Sequence, residues 1–163
     1  MELDTLKDLY VDGLKDLYSA EKQILKALPK MIKACGDRQV KAAFREHERQ
    51  TREHVRRLER ICKELDVSPR GKKCEGMEGL IKEGKSLIQE RPDQDVLDAG
   101  LIAAAQHVEH YEMAGYGTMR TYARELGFPG QARVLQSTLN EEGDTDKKLT
   151  KIAIRRVNLE ARA

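Results

Sequence analysis

Residues 40–65 have the sequence VKAAFREHERQTREHVRRLERICKEL, in which the residues of one stripe recur at alternating steps of four and three. Such steps follow the 3.6-residue turn of an α-helix, so all of these side chains lie on one face. The stripe consists of Val40, Phe44, His47, Thr51, His54, Leu58, Ile61 and Leu65. The stretch therefore predicts a long amphipathic helix whose apolar face is interrupted by histidines near its middle.

The same periodicity recurs in three further segments, and no run of β-branched residues alternates as a strand would. The long helices are predicted at about residues 4–34, 37–65, 93–126 and 132–153. Within the first helix, Pro29 either introduces a kink or ends the helix early. Asp93 follows a proline and is the predicted N-cap of the third helix.

A long connection separates the second and third helices. It covers residues 66–92 and contains a short apolar-periodic segment, residues 77–89, which predicts a further helix. A connection of this length can cross from one end of a helical bundle to the other. We therefore predict an all-α fold, a ferritin-like four-helix bundle with a crossover that carries a short helix, in a single domain over residues 1–163.

Polar or ionisable side chains occupy the apolar stripes of all four long helices near their midpoints. They are Glu21, His47, Gln50, His54, Glu109, Glu112, Glu142 and Asp146. Antiparallel packing would bring these side chains to similar heights in the bundle. Burying one unpaired carboxylate costs several kcal/mol, so five acids in one core must be neutralised, and bound metal cations are the simplest candidate.

Two interpretations without metal compete with this hypothesis. A single acid at the edge of a stripe can reach water, and a polar core can pair its acids with the histidines and with Tyr18, Tyr111 or Tyr116. The charge count favours metal, because five acids face two histidines while two divalent cations would offset most of the negative charge. Oxygen-rich ligation with one or two imidazoles suits two iron ions, or manganese, better than structural zinc.

The two halves of the chain repeat this arrangement weakly. Glu21 precedes Gln50 by 29 residues and Glu112 precedes Glu142 by 30, and in each half a second candidate ligand follows four residues later. This spacing predicts two helix hairpins related by a pseudo-twofold axis. The two metals would lie between the hairpins.

The composition argues against several other functions. The net charge is +2, and none of the two Phe and five Tyr residues is interleaved with the arginines, so nucleic-acid binding is not predicted. Cys35, Cys62 and Cys74 fit neither a zinc motif nor a CxxC pair, which suits a reducing cytosol. The first residues show neither a signal peptide nor a membrane span, so we expect a cytoplasmic protein that has no membrane partner.

Four segments resemble the YciE/YciF group of bacterial ferritin-like stress proteins, and the similarity spans nearly the whole chain. They are LYSAEKQ at 17–23, CEGMEGLI at 74–81, LIAAAQHVEHYE at 101–112 and NEEGDTDKKLT at 140–150. The site is also similar to that of rubrerythrin-type diiron proteins, whose third helix contributes two glutamates, here Glu109 and Glu112. The resemblance implies a homodimer. Because the chain lacks the CxxC pairs of a rubredoxin module, it also implies an external electron donor for any redox activity.

Two positions depart from the pattern of the proteins that the chain resembles. Gln50 stands where they generally have a glutamate that would bridge both metals, and an amide offers only one weaker oxygen ligand. His54, together with His47 or Glu53, would compensate for this change. Asp146 stands where rubrerythrins use a histidine, which makes the predicted site more anionic.

These observations lead to two hypotheses of different classes. In the first, the protein is a stress-response metalloprotein whose diiron or dimanganese site reacts with peroxide or oxygen, or handles iron. In the second, it is a noncatalytic dimeric scaffold with a degenerate or empty metal site, which Gln50 favours. Iron storage is a weaker third hypothesis, because the sequence lacks the acid-rich inner surface of a mineralising shell. The sequence assigns no catalytic residue and leaves open whether the protein is an enzyme.

Overall fold

A computed structural model describes residues 3–162, and all regular secondary structure in that range is helical. The five long helices are α1 (Leu6–Ala34), α2 (Arg38–Glu64), α3 (Glu75–Glu90), α4 (Gln94–Glu125) and α5 (Pro129–Ile152). A π-helical segment, Ala153–Val157, and a last helical turn, α6 (Asn158–Glu160), follow α5. The prediction of an all-helical chain is confirmed for this range.

Local hydrogen bonds explain where the first two helices begin. Thr5 and Asp8 form a capping box, in which each side chain accepts from the backbone N–H of the other residue. The Asp37 carboxylate accepts from the backbone N–H groups of Gln39 and Val40 at 2.7 and 2.9 Å. Both caps satisfy N–H groups that have no partner within the helix.

The two other boundary predictions have mixed outcomes. Helix α1 continues through Pro29 as far as Ala34, so the proline does not end the helix early. Asp93 occupies the N-cap of α4 as predicted, but its side chain makes no capping hydrogen bond. The start of α4 therefore depends on contacts with other parts of the chain.

The four longest helices form a ring, in which α1 and α5 each contact both α2 and α4. In each neighbouring pair, residues later in one helix contact residues earlier in the other, so the two helices are antiparallel. The contacts that show this are Tyr18–Glu59 and Glu21–His54 for α1 and α2, Gly13–Met119 and Leu17–Gly115 for α1 and α4, Arg57–Thr138 and Glu64–Gln131 for α2 and α5, and Arg120–Gln136 and Gln106–Thr150 for α4 and α5. Consequently α2 and α4 run in the same direction, and the chain between them must return along the molecule.

Helix α3 lies in this returning connection and packs against α4 and α1. Close approach to α4 is made possible by glycines. A Cβ atom added at Gly100 would lie 2.4 Å from Leu87, and one added at Gly76 would lie 2.7 Å from Tyr111. These contacts hold α3 against the outside of the ring.

The core consists of two apolar clusters, one towards each end of the ring. The first includes Ile24, Leu28, Phe44, Leu101 and Leu149, and the second includes Leu14, Leu58, Tyr116, Met119 and Leu135. On α2, α4 and α5 buried polar residues separate the residues of one cluster from those of the other, and on α1 Glu21 lies between Leu17 of the second cluster and Ile24 of the first. The middle of the molecule is therefore a polar layer between two hydrophobic ones.

Two further expectations concern the cysteines and the membrane. Cys35, Cys62 and Cys74 are buried free thiols. Every helix within residues 3–162 is too short or too polar to cross a lipid bilayer.

The turn between α1 and α2 is held by a residue of α4. The carboxylate of Asp98 accepts from the backbone N–H groups of Gly36 and Asp37 at 2.8 and 2.7 Å, and from the Gln94 side chain at 2.9 Å. Asp98 is 4% exposed, so these hydrogen bonds replace those that water would make with an exposed carboxylate. Asp98 thus joins the turn of the first hairpin to the first helix of the second hairpin.

We expect Asp98→Ala to reduce the free energy of unfolding by about 2–3 kcal/mol, because two backbone donors lose a charged acceptor in a buried position. Urea denaturation followed by circular dichroism measures this change. Asp95→Ala, at an exposed position of the same helix, is the matched control and should change the value by less than about 0.5 kcal/mol. Equal effects of the two substitutions would contradict the role assigned to Asp98.

Candidate metal centre

Six ionisable side chains meet in the polar layer at the middle of the ring. They are Glu21 from α1, His47 and His54 from α2, Glu109 and Glu112 from α4, and Glu142 from α5. The most exposed of them, His47, is only 4% exposed. On each ring helix these groups lie on the buried stripe. Apolar side chains three or four residues away lie on the same stripe, because that spacing is about one helical turn.

The six residues form two groups that share one glutamate. In the first group, ligand atoms of His47, Glu109, Glu112 and Glu142 all lie within 4.8 Å of one another. In the second group, the same criterion joins Glu21 and His54 to Glu142. This arrangement offers two cation positions connected through Glu142.

Most of the polar atoms in this cluster lack a hydrogen-bond partner. They are Glu21 Oε2, both ring nitrogens of His47, His54 Nδ1, Glu109 Oε2, both Glu112 oxygens and both Glu142 oxygens. Buried polar atoms are almost always paired in folded proteins, and this cluster could hold a metal ion that would pair them. Carboxylate oxygens and imidazole nitrogens are donors that fit iron or manganese.

His54 lies at the centre of the second group. Its Nδ1 is 2.9 Å from Glu142 Oε1 and 3.2 Å from Glu21 Oε1. Burial disfavours the charged imidazole, but the negative charge of Glu21 and the close carboxylates of Glu141 and Glu142 raise the pKa of His54 to about 12. In the metal-free protein His54 is therefore a cation that partly compensates the carboxylates.

The remaining carboxylates divide into protonated and ionised groups. Burial raises the pKa of Glu109 and Glu112 well above the ordinary value, and the charge of Glu142 adds to this effect in both. Burial acts to raise the pKa of Glu142, but the close contact with His54 and the nearby His47 lower this pKa to about 2. Without metal, the cluster thus holds protons on the two α4 glutamates.

Glu141 and Arg57 complete the surroundings of His54, and neither was predicted from the sequence. Glu141 Oε2 is 2.7 Å from His54 Nε2, and Arg57 donates two hydrogen bonds to the same carboxylate at 2.7 and 3.0 Å. The hydrogen bonds from His54 and Arg57 lower the pKa of Glu141 to about 2. The available signals were the position of Glu141 directly before Glu142 and that of Arg57 one turn after His54.

Of the three tyrosines considered for a hydrogen-bonded network, one reaches the cluster. The hydroxyl of Tyr116 donates to Glu21 Oε1. Burial and the charges of Glu21 and Glu112 raise the pKa of Tyr116. By contrast, Tyr18 donates to Glu59, and Tyr111 contacts Cys74 and Asp16 outside the cluster.

Asp146 is in neither of these groups of acids and histidines, whereas the assignment of Gln50 as a ligand stays a prediction. The half-buried Gln50 accepts a hydrogen bond from Thr145 through its Oε1 at 3.4 Å. Asp146 accepts from Gln106 at 3.0 Å and lies 3.2 Å from the exposed ring of His110. Both side chains therefore have partners of their own at the edge of the polar layer.

Comparisons with known proteins extend along the whole chain. A family model described as a domain of unknown function, DUF892, matches residues 5–162. The protein YciF of Escherichia coli K12 is 42% identical over 162 residues, which cover 99% of this chain and 98% of that protein.

Three solved structures are similar to this one. The crystal structure of the E. coli stress protein YciF has a TM-score of 0.92 at 42% identity, and the match covers 96% of this chain and 99% of that one. YcfI of Rhodopseudomonas palustris, whose description proposes a structural protein, has a TM-score of 0.89 at 42% identity over 91% of this chain and 95% of that one. A Xanthomonas campestris protein, 21% identical with a TM-score of 0.77 over 97% and 99% of the two chains, shares the fold.

The metal-free protein should become less stable as the pH rises from 5 to 8. An unfolded glutamate loses its proton near pH 4.5 and an unfolded histidine near pH 6.5, whereas the folded protein retains protons on Glu109, Glu112 and His54. Each group then reduces the free energy of unfolding by about 1.4 kcal/mol per pH unit above its unfolded pKa. The lowered pKa values of Glu141 and Glu142 act only below pH 4.5, outside this window.

Urea denaturation of protein treated with a chelator, at pH 5, 6, 7 and 8, measures this slope. Glu112→Gln removes one of the retained protons and should reduce the slope by about 1.4 kcal/mol per pH unit. Glu83→Gln, at an exposed position, should leave it unchanged. A metal-free stability that increases over this range would contradict the assigned protonation.

Proposed function

The chain belongs to the DUF892 family, and we propose that it is a ferritin-like protein of bacterial stress responses that binds two iron or manganese ions in its core. The observation that carries the proposal is the buried cluster of four carboxylates and two imidazoles with its unpartnered atoms. Neither the apolar clusters nor the surface of the molecule requires such a group of acids. Burying these carboxylates without metal costs free energy, and a bound cation would offset that cost.

We assign the fold to the ferritin-like four-helix bundles. Two antiparallel hairpins, α1 with α2 and α4 with α5, are joined by one long crossover that carries α3, and this connectivity supports the assignment. Diiron sites of this class lie between facing helices of the bundle, with carboxylates from all four of them. The position of the cluster between the two apolar layers agrees with such a site.

In the proposed centre, His47, Glu109 and Glu112 would hold one ion, and Glu21 and His54 would hold the other. Glu142 would be shared between them. A pair of iron or manganese ions would supply the redox chemistry for reaction with peroxide or oxygen, or for iron handling. The ions would also displace the protons from Glu109 and Glu112, because a bound cation favours the ionised carboxylates.

Residues around the ligands would orient them and hold protons. The Tyr116 hydroxyl donates to Glu21 Oε1 and leaves Oε2 without a partner, which directs that oxygen towards a cation. Glu141, fixed by Arg57, would accept the Nε2 proton of His54 and so present Nδ1 to the metal. Glu141 is thus proposed as a positioning residue.

We also propose that the protein is a cytoplasmic homodimer, and that it depends on another protein for electrons if it is redox active. Val96, Ile154 and Leu159 are exposed apolar side chains at the end of the ring where α4 begins and α5 ends, and they offer a surface for self-association.

A noncatalytic scaffold is the second candidate function. It is favoured by Gln50, a neutral amide on α2 whose Oε1 accepts a hydrogen bond from Thr145. The description of the R. palustris relative as a structural protein points in the same direction. Under this hypothesis the cluster would persist as a protonated polar core.

Protein purified from iron-supplemented cells, or reconstituted with Fe(II) or Mn(II), should contain about two metal ions per chain. Because a ligand bound only by the folded state stabilises it, the melting temperature should rise by about 5–10 °C at a metal concentration of about 100 Kd. Elemental analysis and differential scanning calorimetry make the two measurements. Glu112→Gln should lose most of the metal and Glu83→Gln should retain it. Less than about 0.2 ions per chain with no thermal shift would favour the scaffold.

Glu141→Gln should weaken metal binding by about 10- to 100-fold while leaving the number of bound ions at saturation unchanged, because the residue orients His54 rather than contacting the metal. Competitive titration against a metal-binding dye measures the affinity. Glu53→Gln is the matched control, since Glu53 also lies beside Arg57, at 3.9 Å, but is 45% exposed and belongs to neither group of the cluster. An unchanged affinity in Glu141→Gln would remove the positioning role.

A further inference from the structure

A cavity of about 480 Å³ opens between α1, α3 and α4. Its walls are mainly aliphatic and include Ile24, Met31, Leu80, Ile81, Ala104 and Val108. The volume falls within the range of about 300–1,000 Å³ that is typical of small-molecule sites. The cavity exists because α3 covers the groove between α1 and α4 only in part, and Gly84 faces Ala104 where a larger residue would fill it.

The inner end of the cavity reaches the polar layer of the core. Phe44 of the first apolar cluster lines it there, together with His47 and Glu109 of the candidate metal centre. An occupant of the cavity would therefore extend from the surface to the edge of the buried cluster. The cavity is an internal site with a polar end, which distinguishes it from a shallow apolar patch on the surface.

The mouth of the cavity is positively charged. Lys26 and Lys30 on α1 and Lys85 on α3 line it and are exposed, and none of them forms an ion pair with any residue in the described range 3–162. The acid at the mouth, Glu78, lies 2.7 Å from Lys73 and is thereby neutralised. A ligand at this mouth would meet unpaired cationic charge.

We propose that this cavity binds a medium-chain fatty acid, with its carboxylate among Lys26, Lys30 and Lys85 and its acyl chain along the aliphatic walls towards His47 and Glu109. An apolar, narrow interior selects a hydrocarbon chain, and the lysines select an anionic head group. A second copy of this chain is a poorer occupant, because a cationic rim on both partners would repel. Binding of the fatty acid does not depend on bound metal, so the inference stands apart from the proposed function.

Isothermal titration calorimetry of the chelator-treated protein with decanoate, below its micelle concentration, tests the inference. Decanoate should bind at one site, and shortening the chain to octanoate should weaken binding by about fourfold per methylene removed. Decylammonium, which has the same chain and the opposite charge, should bind at least about tenfold more weakly. No binding of decanoate, or equal binding of the two head groups, would overturn the proposal. The same titration with the metal-loaded protein should give a similar affinity.

Charge reversal at the mouth locates the site. The double variant Lys26→Glu/Lys30→Glu should weaken decanoate binding by about tenfold or more, since attraction becomes repulsion. The control Lys22→Glu/Lys33→Glu makes the same charge change on α1 at exposed positions that do not line the cavity, and should stay within about twofold of the parent. Equal losses in both double variants would indicate a general charge effect and reject the site.

A second variant tests the cavity by filling it with a larger side chain. Ala104→Phe should abolish decanoate binding, whereas Ala103→Phe, at the exposed neighbouring position, should not. If Ala104→Phe does not fold, as judged by circular dichroism, the charge-reversal pair decides the outcome alone. A parent protein that does not bind decanoate, with an Ala104→Phe variant that changes oligomeric state in sedimentation velocity, would show that a second copy covers this face and would overturn the proposal.

Discussion

The burial of Glu21, Glu109, Glu112 and Glu142 in one layer is the constraint on which the rest of the structure depends. Four carboxylates in a water-excluded space repel one another and have lost their hydration. The metal-free protein offsets this with a protonated His54 and with protons on the two α4 glutamates. These protons still leave Glu142 ionised inside the cluster. A pair of divalent cations would satisfy the charge and the unpaired atoms together.

The architecture around this layer maintains the cluster despite its cost. An apolar cluster lies on each side of it, so the four helices are packed together at two heights and cannot separate to admit water. Asp98 joins the two hairpins at one end, and Arg57 with Glu141 fixes the ring of His54. The opening between α1, α3 and α4 connects the layer to the surface through an aliphatic passage. The molecule thus combines a buried polar centre with an apolar cavity that leads towards it.

Much of the fold was accessible from periodicity alone. The stripe is helical over residues 40–64, Leu65 is the C-cap of that helix, and α3 lies within the predicted connection. The boundaries were less accessible, because Pro29 is accommodated inside α1 and Asp93 caps α4 without a side-chain bond. In the site, the acids and histidines at the centres of the stripes converge, while Gln50 and Asp146 at the stripe edges turn to other partners. The periodicity of a stripe predicts which side chains face the core only to within one residue. It therefore does not distinguish a ligand from its neighbour on the helix.

The sequence by itself determined that four amphipathic helices carry acids and histidines at their midpoints, because period and polarity are properties of the chain. Only the tertiary structure decided which of these groups meet, since Glu142, His54 and Glu21 come from three helices whose rotation and height are set by packing. It also decided the protonation of the cluster, which depends on distances between residues far apart in sequence. The roles of Glu141, Arg57 and Asp98, and the cavity beside His47, arise in the same way from the packing of helices against one another.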